Sequence, residues 1–233
     1  MNELIVFTHI PKTAGSFLQK KFIEANVPPN RCYTTAGLKE FILKSSDNYQ
    51  LFYGHLPYGV HLLTPRSVRY ITLLREPIDR AISFYYSMKE VDIKIYKHPF
   101  REYADSLTLK DFYKNRNLQN VQTRFIAGVL SDKLYPKLPS QYMDNLILYL
   151  AQKNLVNYIY GISDRLDESI ELFTKKLSWT YPIDMIPYRK TRNRPTKDDL
   201  DQETIQVLLK ANVLDMKLYE FALNNFNKQF MNV

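Results

Sequence analysis

Lys12 stands in the run Phe7-Thr8-His9-Ile10-Pro11-Lys12-Thr13-Ala14-Gly15-Ser16-Phe17, with hydroxyls at Thr13 and Ser16 and a glycine at position 15. A cation, small residues and hydroxyls in a tight turn are what is needed to hold anionic oxygen. The first N–H groups of a helix have no partner within it and point out beyond the turn, and glycine lets a ligand come close to the backbone. Two other places carry comparable chemistry. Arg75, eight residues before Ser83, offers a fork of N–H donors, and Ser83 adds a short hydroxyl contact. His55, in Gly54-His55-Leu56-Pro57, is a candidate general base, because histidine is the side chain whose charge changes nearest neutral pH.

These residues need elements that carry them to one place. The apolar run Leu4 to Thr8 predicts a buried strand, and Ser16 to Ala25 a helix with Phe17, Leu18, Phe22 and Ile23 on its apolar stripe. Pro28-Pro29-Asn30 breaks the chain, Leu38 to Leu43 reads as helical, and Gln50 to Tyr53 as a short strand ending at Gly54-His55. Val68 to Leu74 is a further strand, followed by Arg75-Glu76 and a helix opened by Pro77. Val91 to Ser106 has no period and predicts a long surface excursion. Beyond it, Leu118 to Ile126, Tyr142 to Gln152 and Leu166 to Leu177 read as helices and Val156 to Gly161 as a strand. Gln122, Thr123 and Arg124 have two readings, side chains that reach a bound substrate and an exposed polar helix face, and the exposed face is the expected one. The cluster Arg189, Lys190, Arg192 and Arg194 precedes two more helices, Lys197 to Lys210 and Asp215 to Phe226.

Strand and helix alternate throughout, so the fold class is α/β. The expected architecture is three layers: a mostly parallel central sheet, helices on both faces, and ligands at the carboxyl ends of the strands. The turn at Lys12, the histidine at 55 and the arginine at 75 all fall at such ends.

With 233 residues the chain can bury a real core, and residues 1–233 read as one domain. Lys and Arg total 32 against 24 Asp and Glu, a formal charge of +8 that suits an anionic ligand. One cysteine, Cys32, excludes an intrachain disulfide framework and reads as a small hydrophobe or an inert thiol. There is no apolar run of bilayer length, no signal-peptide pattern at the first residues and no metal-ligand spacing among His, Cys and Asp. The expectation is a cytoplasmic protein that does not span a membrane, does not bind nucleic acid and uses no metal.

The nucleotide-triphosphate loop G-x-x-x-x-G-K-[ST] shares the Lys12-Thr13 pair, but Thr8 and Pro11 replace its glycines. A kinase of that class also places a magnesium-binding carboxylate at a strand end, where this chain has the cation Arg75. A nucleotide kinase or nucleotidase is the alternative these residues leave open, and a basic nucleic-acid binding module is a second rival.

Pro11-Lys12-Thr13-Ala14-Gly15-Ser16 resembles the 5′-phosphosulfate loop of sulfotransferases that use 3′-phosphoadenylyl sulfate, whose fold is similar to that of P-loop proteins. Arg75 and Ser83, within Ile71 to Tyr86, look like the pair that binds the 3′-phosphate in those enzymes. Within the superfamily the chain most resembles the branch of hexuronic-acid 2-O-sulfotransferases of glycosaminoglycans and their bacterial relatives. That likeness runs through Tyr53-Gly54-His55, Asn154 to Gly161, Arg189-Lys190-Thr191 and Tyr219 to Leu223, and departs from the branch at Tyr53, where a histidine is frequent.

The resemblance implies a fold, a reaction and a site. The reaction is in-line transfer of a sulfuryl group from 3′-phosphoadenylyl sulfate to an acceptor hydroxyl, on a saccharide by the likeness to that branch, with His55 as base. Lys12 contacts the leaving side of the sulfate. The amides of Thr13, Ala14, Gly15, Ser16 and Phe17 and the Thr13 and Ser16 hydroxyls hold the 5′-phosphate, while Arg189, Lys190 and Thr191 belong to a loop that closes over the 3′-phosphate.

Overall fold

The computed structural model describes residues 3–35, 37–90, 98–137, 140–180 and 194–231. Five strands, β1 (Leu4–Thr8), β2 (Cys32–Thr35), β3 (Leu51–Gly54), β4 (Val68–Leu74) and β5 (Tyr158–Ile162), form one sheet in the order β2-β3-β1-β4-β5. Every pairing among them is parallel. Runs such as LIVFT are apolar at successive positions because both faces of the sheet are covered.

Alternation along the strands divides the core. Ile5, Phe7, Leu51, Tyr53, Ile71 and Leu73 pack with Phe17, Leu18 and Phe22 of the helical run 15–26 and with Ile170 and Phe173 of the Leu166–Leu177 helix. Leu4, Val6, Phe52, Tyr70, Tyr158 and Tyr160 face the other way, onto the helices Leu38–Lys44, Val121–Ala127, Ser140–Leu155 and Val213–Phe226. These are the two outer layers expected for the fold. A third cluster joins the Pro77–Glu90 helix to Arg101–Ser106, Leu109–Phe112 and Gln202–Ala211. Full burial of one large apolar side chain in such clusters contributes about 1.5–3 kcal/mol.

Several elements differ from the sequence reading. β2 was not expected; it is an edge strand of mostly half-buried residues, CYTT, whose polar composition hides its period. Cys32 on it is half-buried, and burial pushes its thiol up to about 11, so the sulfur stays protonated. The predicted helix Ser16 to Ala25 runs from Gly15 to Asn26, with a wider π-type turn at Leu18–Ile23. Part of the expected surface excursion is helical: Arg101–Ser106 forms a short helix because Ala104 is buried against the third cluster, while residues 91–97 lie outside the described residues. Lys197 to Lys210 is broken, since a turn at Lys197–Asp199 ends before Asp201 caps a new helix, Gln202–Ala211, by accepting from the Thr204 amide.

Register brings the site together. Thr8, the last residue of β1, pairs with Gly54 of β3 on one side and Thr72 of β4 on the other. The three segments that follow these strands therefore leave the sheet side by side. The chain from β1 returns to β2 and β3 on one flank, whereas β4 leads to β5 on the opposite flank. The gap between the ends of β1 and β4 is thus the switch point at which open parallel sheets hold ligands.

Candidate active site

Downstream of β1 the backbone turns sharply. Lys12 and Ala14 both have positive φ, 69° and 65°, alternating with Thr13 and leading into the helix that begins at Gly15. Left-handed residues of this kind next to right-handed ones turn successive N–H groups into one concavity, a nest for anionic oxygen. Non-glycine residues carry strain there, and strain of this sort clusters at ligand sites. Thr13 is fully buried, and its hydroxyl donates to the Ile10 carbonyl at 2.9 Å, so it closes the turn from inside and does not face outward as a donor. The backbone N–H groups are the donors that such a turn offers to anionic oxygen.

Arg75 emerges from the neighbouring strand and ties the two together. Its Nη1 donates to the Lys12 carbonyl at 2.9 Å, and its Nε and Nη2 are engaged by the Asp79 carboxylate. Asp79 also accepts from Arg194, and burial, which opposes ionisation, is outweighed by these two guanidinium groups, so its carboxyl stays below the usual range. The Arg75 fork is therefore held in place by Asp79. Gln122 fixes the backbone here: it accepts from the Arg75 amide at 3.0 Å and donates to the Arg75 carbonyl at 2.9 Å.

Gln122, Thr123 and Arg124 are all buried, not an exposed face as expected. The reason lies almost a hundred residues downstream. Asp215, fully buried, accepts from the amides of Gln122 and Thr123 and from the Thr123 hydroxyl, and so caps the helix that carries them.

Lys12 is crowded by cations. Burial, followed by Arg75 and Arg194 and opposed by Glu90, pushes its ammonium group down to about 8. Ser83, two turns along the Pro77–Glu90 helix, is buried.

His55 follows β3 directly and is exposed at the same sheet edge. Its Nδ1 lies 2.7 Å from the His9 carbonyl oxygen. A carbonyl only accepts, so Nδ1 carries the hydrogen, and the lone pair of the neutral ring is on Nε2. The ring stacks on that of His9, with centroids 5.0 Å apart, and His9 stacks in turn on Tyr53. Burial, with His55 and Lys12 nearby, pushes His9 down to about 3, so this second ring is a neutral spacer. His61 is bound to the Tyr70 hydroxyl away from the loop, and His98 lines the same cavity as His55.

Lys12, Thr13, Ala14, Gly15, Ser16, Phe17, His55 and Arg75 are thus gathered at one edge of the sheet, with Ser83 buried in the adjoining helix. Arg189, Lys190 and Thr191 lie outside the described residues. Asp79 and Asp215 escaped the sequence reading, and Gln122 entered it only as part of an exposed helix face. Only Asp79 had a signal, its spacing of four from Arg75.

A parallel three-layer sheet with a lysine turn after β1 and an arginine after β4 groups cationic side chains at the switch point, the place where sheets of this class hold ligands. The chain belongs to the sulfotransferase family, whose model matches residues 2–222; that membership replaces the nucleotide-kinase alternative. It is similar to heparan-sulfate 6-O-sulfotransferase 1-B of Danio rerio, with 29% identity over 188 residues, 71% of this chain and 45% of that protein. Heparan-sulfate 6-O-sulfotransferase 1 of Homo sapiens is 27% identical over 192 residues, 72% of this chain and 46% of that protein. With heparan-sulfate 6-O-sulfotransferase 2 of Gallus gallus the match extends over 98% of this chain and 68% of that protein at 21% identity. The chain spans about half the length of the first of these relatives. The family is established by the match; the hexuronic-acid 2-O branch is not represented among these three. Among the described residues no helix is long and apolar enough to cross a membrane.

Proposed function

We propose that this chain transfers a sulfuryl group from 3′-phosphoadenylyl sulfate to a hydroxyl of a saccharide. The observation that carries the reading is the meeting of the left-handed Lys12–Ala14 turn with a histidine whose Nδ1 hydrogen is already committed to a backbone carbonyl. The relatives named above, which act on heparan sulfate by their names, support a saccharide acceptor.

The residues present fit a nucleotide of that kind, because the nest after β1 and the guanidinium after β4 are two separate anion sites across one gap. The donor supplies the activated sulfuryl group. The amides from Thr13 to Phe17, with the Ser16 hydroxyl, hold the 5′-phosphate, and Arg75 with Ser83 holds the 3′-phosphate. Lys12 neutralises the negative charge that grows on the leaving side, so its contribution is larger at the transition state than in the ground state. His55 Nε2 takes the proton of the acceptor hydroxyl as the oxygen attacks in line. Asp79 holds the Arg75 guanidinium by its Nε–Nη2 edge, so the 3′-phosphate is met by the remaining hydrogens on Nη1 and Nη2.

The deciding experiment is a radiolabelled sulfate-transfer assay with labelled donor against polysaccharide, lipid and small-alcohol acceptors. Label on a saccharide, lost in the His55→Ala protein, is the expected result. Label on none of the acceptors, or only on a lipid or simple alcohol, overturns the reading.

A further inference from the structure

Tyr53, near the end of β3, is 4% exposed and packs in the core layer of Phe17 and Phe22. Its ring centroid lies 5.0 Å from that of Phe7 and 4.8 Å from that of His9. Its hydroxyl oxygen is buried, and among the described residues no group meets it at hydrogen-bond geometry. An unmatched hydroxyl lowers stability in a core, and phenylalanine would fill the same space without that penalty, so the oxygen calls for an explanation.

The polar side chain beside it is Ser16. Burial pushes the Tyr53 phenol up, and the Ser16 hydroxyl acts against that rise, as a group close to the phenol oxygen does. Tyr53 is therefore a neutral phenol with one hydrogen to give, next to a serine that can take it. Ser16 is half-buried in the first helical turn after the left-handed Lys12 and Ala14, so its hydroxyl has an inner neighbour and an outer side.

A serine hydroxyl also has a single hydrogen, which it can spend inward on Tyr53 or outward on an anion. We propose that Tyr53 is a positioning residue of the donor loop: its O–H donates to Ser16 Oγ and thereby commits the Ser16 hydrogen to the 5′-phosphate. The inference rests on the nucleotide-donor reading and deepens it. Tyr53 Oη, enclosed by protein, acts on the ligand only through Ser16. Two hydroxyls in series ending on an anion polarise one another, which strengthens the outer bond. The Tyr53 ring has a separate task, since it supports His9, on which His55 is stacked. Removing the oxygen alone separates the two.

The test is Tyr53→Phe, with calorimetric binding of AMP, adenosine 3′-monophosphate and adenosine 3′,5′-bisphosphate. The Kd of the two nucleotides that carry a 5′-phosphate should rise about three- to tenfold, the weight of one hydroxyl hydrogen bond, while that of the 3′-monophosphate stays within about twofold. Without nucleotide the melting temperature should be unchanged or higher, because an unmatched buried oxygen has gone. Ser16→Ala should show the same selective loss, and adding Tyr53→Phe to it should change nothing further, as expected when one residue works through the other. In sulfate transfer the donor KM should rise and kcat stay within about twofold. Parent-like binding of AMP and the bisphosphate, an equal loss for all three nucleotides, or additive losses in the double variant overturns the proposal. A lower melting temperature with unchanged affinities also overturns it and makes the hydroxyl a support of the fold. The selective loss without sulfate transfer to any acceptor removes the reaction and leaves the Tyr53 assignment standing. Transfer together with parent-like 5′-phosphate affinity in Tyr53→Phe does the reverse.

Discussion

Gly15 and His9 are in contact so close that a methyl group placed on Gly15 would lie 2.1 Å from Cδ2 of the His9 ring and 2.5 Å from its Nε2. The glycine is there to make room for the histidine, whose ring supports His55 and whose carbonyl holds the His55 Nδ1 hydrogen. Gly15→Ala must therefore displace the His9 ring or the anion-binding turn. Sulfate transfer is expected to fall by about a hundredfold, the effect of a misplacement of roughly 1 Å at a reacting centre. Circular dichroism should show the sheet and helices intact. Parent-like transfer would mean that the turn has slack to absorb the methyl group.

Removing the His55 ring should separate binding from chemistry. In His55→Ala and His55→Gln, binding of adenosine 3′,5′-bisphosphate, measured calorimetrically, is expected to survive, while transfer falls by roughly two to four orders of magnitude. Loss of nucleotide binding would instead make His55 a support of the fold.

Lys12 predicts a pH limit. Burial and the cations beside it push its ammonium down to about 8, and a lysine is charged below its pKa and neutral above it. In the free enzyme kcat/KM should fall as pH rises through about 8, and Lys12→Arg should move that fall upward because the guanidinium stays charged. The same shift acts on stability with the opposite slope. Between about 8 and the ordinary 10.5 the unfolded lysine holds more proton than the folded one, so this residue's contribution to stability improves as pH rises through that window. A basic limb of kcat/KM that stays put in Lys12→Arg would remove Lys12 from the rate.

Arg75 should distinguish nucleotides. Adenosine 3′,5′-bisphosphate is expected to raise the melting temperature in the absence of magnesium more than AMP does, since ligand-linked stabilisation follows affinity and only the bisphosphate reaches the second anion site. Arg75→Ala should make the two shifts equal. Equal shifts in the parent would remove the 3′-phosphate site.

Asp215 is fully buried and caps the helix that carries Gln122, which in turn pins the Arg75 backbone. Asp215→Asn turns one acceptor towards the helix amides into a donor, and should cost about 1–3 kcal/mol in urea denaturation, as for a buried hydrogen-bond partner left unmatched. It should also weaken bisphosphate binding. Stability within about 0.5 kcal/mol of the parent would mean that the cap is replaceable, since changes of that size are ordinary for surface positions.

Alternation of apolar runs with helical periods was sufficient to read β1, β4, the Pro77–Glu90 helix and the Leu166–Leu177 helix from the chain, because strands covered on both faces are apolar throughout and helices are apolar on one stripe. The turn at Lys12 to Ser16, His55 and Arg75 was legible for a related reason: each follows a strand directly, so a local pattern located both the element and the residue at its carboxyl end. The edge strand β2 was not legible, since its ladder partner, β3, is distant in the chain and its own residues are polar.

What tertiary structure alone decided is how charges and hydrogen bonds are shared between these segments. Local pattern placed Gln122 to Arg124 in solvent, and Asp215, from the far end of the chain, buried them by supplying the acceptors that their helix start lacked. Asp79 closed the Arg75 fork, the His9 carbonyl chose the hydrogen-bearing nitrogen of His55, and Arg80 was left inside with an edge unmet. Sequence determines such outcomes only through contacts between residues far apart along the chain, and periodicity carries no trace of them, because a buried arginine and an exposed one occupy the same helical position until the other elements have packed around it.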